Sequence, residues 1–263
     1  MGIINSGQLL TCLLKFTVCK SSMKQYRKYP NIRRSYVLES FITLAEKIFC
    51  LVIFAFGAVG MTINSSVLTK GLRGIKKEMF VYYTNLSNMA VLLYHVMLFV
   101  SSFYRQSTLY AVLSAPVIRL SVTLMILITF VIYHFILRSA DKILNLKKGV
   151  SVEKPFSKKF ANLCVHYLVP LFTLAEWIIV AEKSSLRISD GAVWVICPLI
   201  YLIFIMLRAK LFGNIGDKDT RFPYFFLDVD AIGFRKAAIN VLIIGVVSVA
   251  FGMFFVFVTT LFV

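Results

Sequence analysis

Apolar positions run along this chain in six long blocks, separated by short polar intervals. The blocks cover roughly residues 42–65, 80–103, 112–137, 160–181, 192–212 and 238–262. Each reaches the length of about 20 residues that an α-helix needs to cross a hydrocarbon core. A seventh apolar stretch, Leu9 to Cys19, is too short to span. It reads as an amphipathic segment lying at the membrane surface, with Lys15 and Lys20 among the head groups. Pro30 and the pair Arg33-Arg34 lead from it into the first block. Gly57 and Gly60 in that block allow close helix packing. The pattern predicts an all-α integral membrane bundle of six transmembrane helices over residues 41–263, preceded by a basic amphipathic segment over 1–40. No interval is long enough for a separate extramembrane domain, and no internal repeat suggests a transporter of the inverted-repeat kind.

Composition agrees with this pattern. Of the 263 residues 59% are hydrophobic, well above the 45–50% usual in soluble domains. Twenty-nine Lys and Arg stand against 12 Asp and Glu, a formal charge of +17. The basic residues gather between apolar blocks, so their expected partners are anionic lipid head groups and not nucleic acid. The intervals after blocks one, three and five are the basic ones, which places them in the cytoplasm; the seven Lys and Arg of residues 1–40 argue the other way. Cys12, Cys19, Cys50, Cys164 and Cys197 form no CxxC pair. They read as small apolar residues, not as a disulfide framework or a metal site.

Polar residues inside the blocks carry the candidate chemistry, because an unpartnered polar group in hydrocarbon costs several kcal/mol. Tyr82-Tyr83-Thr84-Asn85-Leu86-Ser87-Asn88 opens block two, and Thr84, Ser87 and Asn88 share a helical face. In block four, Asn162, His166 and Pro170 recur at a spacing of four, and Pro170 frees the carbonyl of His166 from its ladder bond. Thr84 and His166 both fall roughly 6–9 Å below the same surface at 1.5 Å per residue. His134 and the segment around Tyr224 and Asp228 come to that surface too. A threonine hydroxyl needs a base to become a nucleophile, and a neutral histidine is the usual one. Asp228, Asp230 or Asn162 is placed to orient that histidine. Asn85, Asn88 or a tyrosine hydroxyl is placed to stabilise an oxyanion. The plainer alternatives stand beside this. A lone membrane threonine usually bonds its own helix, and a lone histidine also serves as glue between helices. His134 is either a second site residue or a head-group contact, and His95, near the far face, is structural or interfacial. Arg119 and Glu176 match in depth and predict a structural ion pair. Trp177 and Trp194 flank a short loop and read as interfacial anchors. No metal or organic cofactor is implied; His134, His166 and Asp228 are the only set that offers itself to a metal.

Four motifs, taken in order, resemble a known family. They are Tyr83-Thr84-Asn85-Leu86-Ser87-Asn88; Asn162-x3-His166-Tyr167-x2-Pro170 with Glu176-Trp177; Trp194-x3-Pro198-Leu199-x-Tyr201; and Pro223-Tyr224-Phe225-Phe226-Leu227-Asp228 with Gly233. Together they resemble the androgen-induced protein/ADTRP-like six-helix membrane family, with a serine and an asparagine after Thr84 closer to its bacterial branch. The proline near His166 departs from the animal pattern by one residue. Animal members hydrolyse fatty acid esters of hydroxy fatty acids through an intramembrane threonine and histidine. The resemblance implies those catalytic roles for Thr84 and His166. Ser87, Asn88, Asn162, His134 and Asp228 then support the site, while Tyr83, Pro170 and Tyr224 line the substrate path. A multi-pass protein of a bacterial cytoplasmic membrane is the implied setting. The alternative function is a non-enzymatic lipid-binding protein or small-solute transporter, in which the same cluster lines a path.

Overall fold

In the computed structural model the described residues are 30–67, 71, 75–138, 155–216 and 219–261, with side chains from residue 37 onward. Residues 1–29, which hold most of the expected surface segment, lie outside the described residues. The first helix, α1 (Pro30–Ser65), runs straight through the boundary expected at residue 40. The chain divides into two compact units, Met1–Ala45 and Glu46–Val263.

Among the described residues there is no strand, and six helices are long and apolar enough to cross a membrane. After α1 come α2 (Tyr83–Ser101), the short α3 (Thr108–Ser114), α4 (Pro116–Leu137) and α5 (Phe156–Val180). Then follow α6 (Ile188–Leu211), the single turn α7 (Val229–Ile232) and α8 (Phe234–Thr260). The chain is an all-α, multi-pass membrane bundle.

Local chemistry explains where the helices depart from the sequence pattern. The third block, expected as one helix over 112–137, is two. Ala115 is extended at ψ 134° because it precedes Pro116, and a residue before proline avoids the helical region. Pro116 then sits at the first turn of α4, where its missing N–H costs nothing. Ser107 caps α3 by accepting from the Tyr110 N–H at 3.2 Å. In α5 the helix widens to a π turn over Cys164–Leu168, closed by the Val169 N–H donating to the Cys164 carbonyl. Pro170 follows at once and has no N–H for His166 O, so the wider turn takes up the proline that the sequence flagged. A second π turn, Tyr133–Leu137, ends α4. Gly233, at φ +80°, makes the corner between α7 and α8 that a residue with a side chain would resist.

The core is held by close backbone approaches and by buried aromatics. A Cβ on Gly60 would press on Val165 and Cys164, and one on Gly57 on the Leu92 side chain, so both glycines seat α1 against its neighbours as expected. α8 crosses the start of α6 at a glycine pair, Gly252 on Gly191. Trp177 and Trp194 are not interfacial anchors. Both are fully buried and pack with Leu120, Leu124 and Val256. The loop they flank folds back so that both indoles face the bundle. Cys50 and Cys164 are buried free thiols.

The Arg119–Glu176 pair forms, and it has a third member. Arg119 also binds Glu46 of α1, and all three side chains are at most 3% exposed. The Tyr110 hydroxyl, from α3, lies 3.2 and 3.3 Å from the two Glu46 oxygens. Arg105 in turn donates to Tyr110 at 2.7 Å.

Candidate functional site

Thr84 stands in the first turn of α2, where helical N–H groups have no partner within the helix. No side chain of α2 caps this end. The Tyr224 phenol does so from 141 residues away, accepting from the Tyr83 N–H at 3.1 Å. Thr84 lies against the Tyr224 oxygen as well. Burial pushes the Tyr224 phenol above its ordinary pKa, so it stays neutral here. The Tyr201 hydroxyl donates to Val81 O at 2.9 Å, and its ring meets Tyr83 edge-on. The segment before α7 and the middle of α6 are thus tied to the start of α2.

These residues close one end of a cavity of about 830 Å³, mouth included, between α2, α4, α6 and α8. Thr84, Tyr83 and Tyr224 line it, with Ile128, Leu202 and Val241 among the apolar walls. Tyr83, Thr84, Tyr201 and Tyr224 bring polar groups to one part of its wall, and Trp194 and Ser248 to another.

The expected base lies behind this wall. His166 sits in the π turn of α5, 9% exposed, and is not among the cavity-lining residues. Its ring stacks on Tyr133 with centroids 3.6 Å apart and planes 10° apart. Its Nδ1 is buried with no hydrogen-bond partner. The next residues pair in reverse: His134 Nδ1 lies 3.1 Å from the Tyr167 hydroxyl. Two π turns therefore face each other through crossed Tyr–His pairs. Such turns are frequent at functional sites. His134, half-buried, is a partner of this cluster.

One side chain joins the two halves. Asn88 donates both amide hydrogens, to Thr84 O at 2.8 Å and to Val165 O at 3.1 Å. It is fully buried, and its Oδ1 has no partner. The sequence missed this clip, although the shared face of Thr84 and Asn88 pointed toward it. No hydrogen bond joins Thr84 directly to His166.

Several expected roles change. Asn88 has spent both donors on carbonyls and has none for an oxyanion. Asn85 donates one amide hydrogen to Met79 O at 2.9 Å. Ser87 bonds Thr84 O at 3.0 Å and the Thr129 hydroxyl at 3.1 Å, which fixes α2 to α4. Asp228 does not orient His166. Its oxygens cap α7, accepting from the Ala231 N–H at 3.1 Å, and bind the Thr220 hydroxyl at 2.7 Å. Asp230 pairs with Arg221 through two bonds of 2.9 and 2.6 Å. Asn162 makes no hydrogen bond to His166, and Pro170 is buried away from the cavity. His95 is structural: fully buried, with Nδ1 2.7 Å from Val91 O. Among the described residues no group of three His, Cys, Asp or Glu is placed to hold a metal ion.

No family model, curated protein or solved structure matches the chain.

Proposed function

We propose that this protein hydrolyses lipid esters within the membrane, with the acyl chain in the cavity, Thr84 as nucleophile and His166 as base. The observation that carries the reading is a threonine on the wall of a mainly apolar cavity, clipped by Asn88 to the turn that holds an imidazole whose buried Nδ1 has no hydrogen-bond partner. The family resemblance supports the same two residues.

The chemistry runs in two halves. Thr84 Oγ bonds to the ester carbonyl carbon while its proton passes to His166. The tetrahedral intermediate then expels the alcohol, which takes that proton. Water repeats the sequence on the acyl-threonine, releasing the fatty acid and restoring Thr84. Because Thr84 and His166 share no direct bond, proton transfer needs a bridging water or closer approach once substrate is bound; catalytic bonds often tighten only in the complex. The Tyr224 phenol, neutral and already at Thr84, is the donor nearest the reacting carbonyl. Fatty acid esters of hydroxy fatty acids fit this scheme. The basic loops meet anionic head groups, and the setting is a bacterial cytoplasmic membrane.

A second reading, lipid binding without turnover, draws on one observation: the buried His166 Nδ1 has no hydrogen-bond partner, so the Thr84 hydroxyl has no base bonded to it. Purified protein in nanodiscs, given a panel of branched and simple fatty acid esters, separates the two. Turnover lost in folded Thr84→Ala and His166→Ala supports the hydrolase. Equal turnover in all three proteins refutes it. No turnover, with fatty acid retained by the protein, favours binding alone.

A further inference from the structure

We infer that Gly245 sets the depth of the cavity, and so the length of acyl chain it holds. The inference rests on reading the cavity as an acyl-chain site, and it does not depend on hydrolysis.

The cavity has two identifiable ends. Tyr201 on α6 and Val241 on α8 lie at the Thr84 end, since Tyr201 bonds Val81 O and Val241 packs on the cluster that contains Tyr224. Trp194 on α6 and Ser248 on α8 lie at the other, where the Trp194 indole meets Gly252, one turn beyond Ser248. Seven residues separate the ends on each helix, which is a depth of about 10 Å. An extended chain of about eight carbons fills that length. Val241, Ile244, Gly245 and Ser248 form one stripe of α8 along it. Gly245 is one turn down from Val241, near the halfway point.

What singles out Gly245 is that nothing among the described residues requires a glycine there. A glycine inside a helix costs about 0.5–1 kcal/mol relative to alanine. Gly252, one face further along, has a reason: its Cβ would fall on the Gly191 backbone. Gly245 has none of this kind. It has no left-handed φ, and a Cβ built on it meets no atom within 4 Å. Yet it lines the cavity. The missing side chain therefore leaves room only for whatever occupies that space. A leucine at this position would put its side chain into the channel at mid-depth, starting from a Cβ that meets no atom within 4 Å. The chain then has about half its former length, and the Trp194 end is cut off.

The test uses the full chain in nanodiscs and an eight-carbon fatty acid with a photoreactive diazirine at its terminal carbon. In the wild type, labelling and peptide mapping should mark Trp194, Val195 or Ser248. In Gly245→Leu that label should fall at least tenfold, while a four-carbon probe still marks the Thr84 end. Gly245→Ala, with one added methyl, should keep most of the deep label and should fold as well as the wild type. The same proteins assayed on esters of matching chain length report separately on hydrolysis. Absent turnover with the labelling shift intact would remove the hydrolase and leave this inference standing. An unchanged deep label in folded Gly245→Leu, no label on the cavity in the wild type, or a Gly245→Ala that does not fold would each overturn it.

Discussion

Replacing Arg119 with methionine should destabilise the bundle severely, whereas replacing Glu46 with glutamine should not. Arg119 is, among the described residues, the one cation bonded to both carboxylates, Glu46 and Glu176, and all three side chains are at most 3% exposed. With every group ionised the trio carries a charge of −1. Losing Arg119 leaves two carboxylates buried near each other. Glu46 keeps the Tyr110 hydroxyl, at 3.2 and 3.3 Å, but Glu176 keeps no hydrogen-bond donor. Breaking a buried pair from one side costs about 3–5 kcal/mol. Losing the Glu46 charge instead leaves a matched Arg119–Glu176 pair, and glutamine's carbonyl still accepts from Tyr110. That change should cost no more than about 1.5 kcal/mol, the scale of one hydrogen bond. Reversible unfolding in mixed micelles would measure both variants. The Arg119→Met/Glu176→Met double variant, which removes the orphaned charge, should recover more than half of the Arg119→Met loss. Arg119→Met within 1 kcal/mol of wild type would refute the argument, as would Glu46→Gln costing as much as Arg119→Met.

Other changes follow from the same geometry. Gly252→Ala sets a methyl against the Gly191 backbone; it should cost about 1–3 kcal/mol and lower the melting temperature, while Gly245→Ala, whose methyl meets nothing, should raise it slightly. Asn88→Leu removes two bonds at once and leaves the Val165 carbonyl unpaired. A loss of about 1–3 kcal/mol should accompany faster amide exchange over 164–168, and equal exchange would contradict the clip. Arg221 holds the Asp230 carboxyl below its ordinary pKa through two hydrogen bonds. Their contribution is therefore present above the usual aspartate value and lost as pH falls through the lowered one. Amide protection over 219–232, compared at each pH with Asp230→Asn, should converge with that variant only under strong acid; convergence already at pH 6 would contradict the pairing.

Much of the bundle could be read directly from the chain. Six apolar blocks gave six helices, and depth matching along those helices paired Arg119 with Glu176. What the blocks concealed was lateral placement. Glu46 lies near the start of its block, where an acidic residue passes for a surface one, so the third member of the trio went unseen. Trp177 and Trp194 sat beside a loop, and nothing in a linear pattern says that the loop turns inward. Thr84 and His166 were placed at similar depth, and the structure adds that α2 and α5 meet there through Asn88 and not through the two residues themselves. Asp228, judged by its nearness to the same surface, was claimed by its own segment: an aspartate just before a helical turn is a cap first.

The paired π turns also govern which neighbours α5 can serve. Over five residues a π turn lags a regular helix by roughly a quarter of a revolution. The stretch beyond Leu168 is therefore out of phase with the stretch before Cys164. His166 is aimed at Tyr133, and ten residues on, Glu176 is aimed at Arg119. One unbroken α-helix of the same residues would have to give up one of these bearings. Deleting a single residue between 164 and 168 would restore even winding, and because one α-helical residue turns by about 100°, close to the lag of the π turn, the Glu176–Trp177 end would keep nearly its present bearing. The span thus behaves as two short rods joined by a fixed angular offset, one aimed at the histidine cluster and the other at the buried charges.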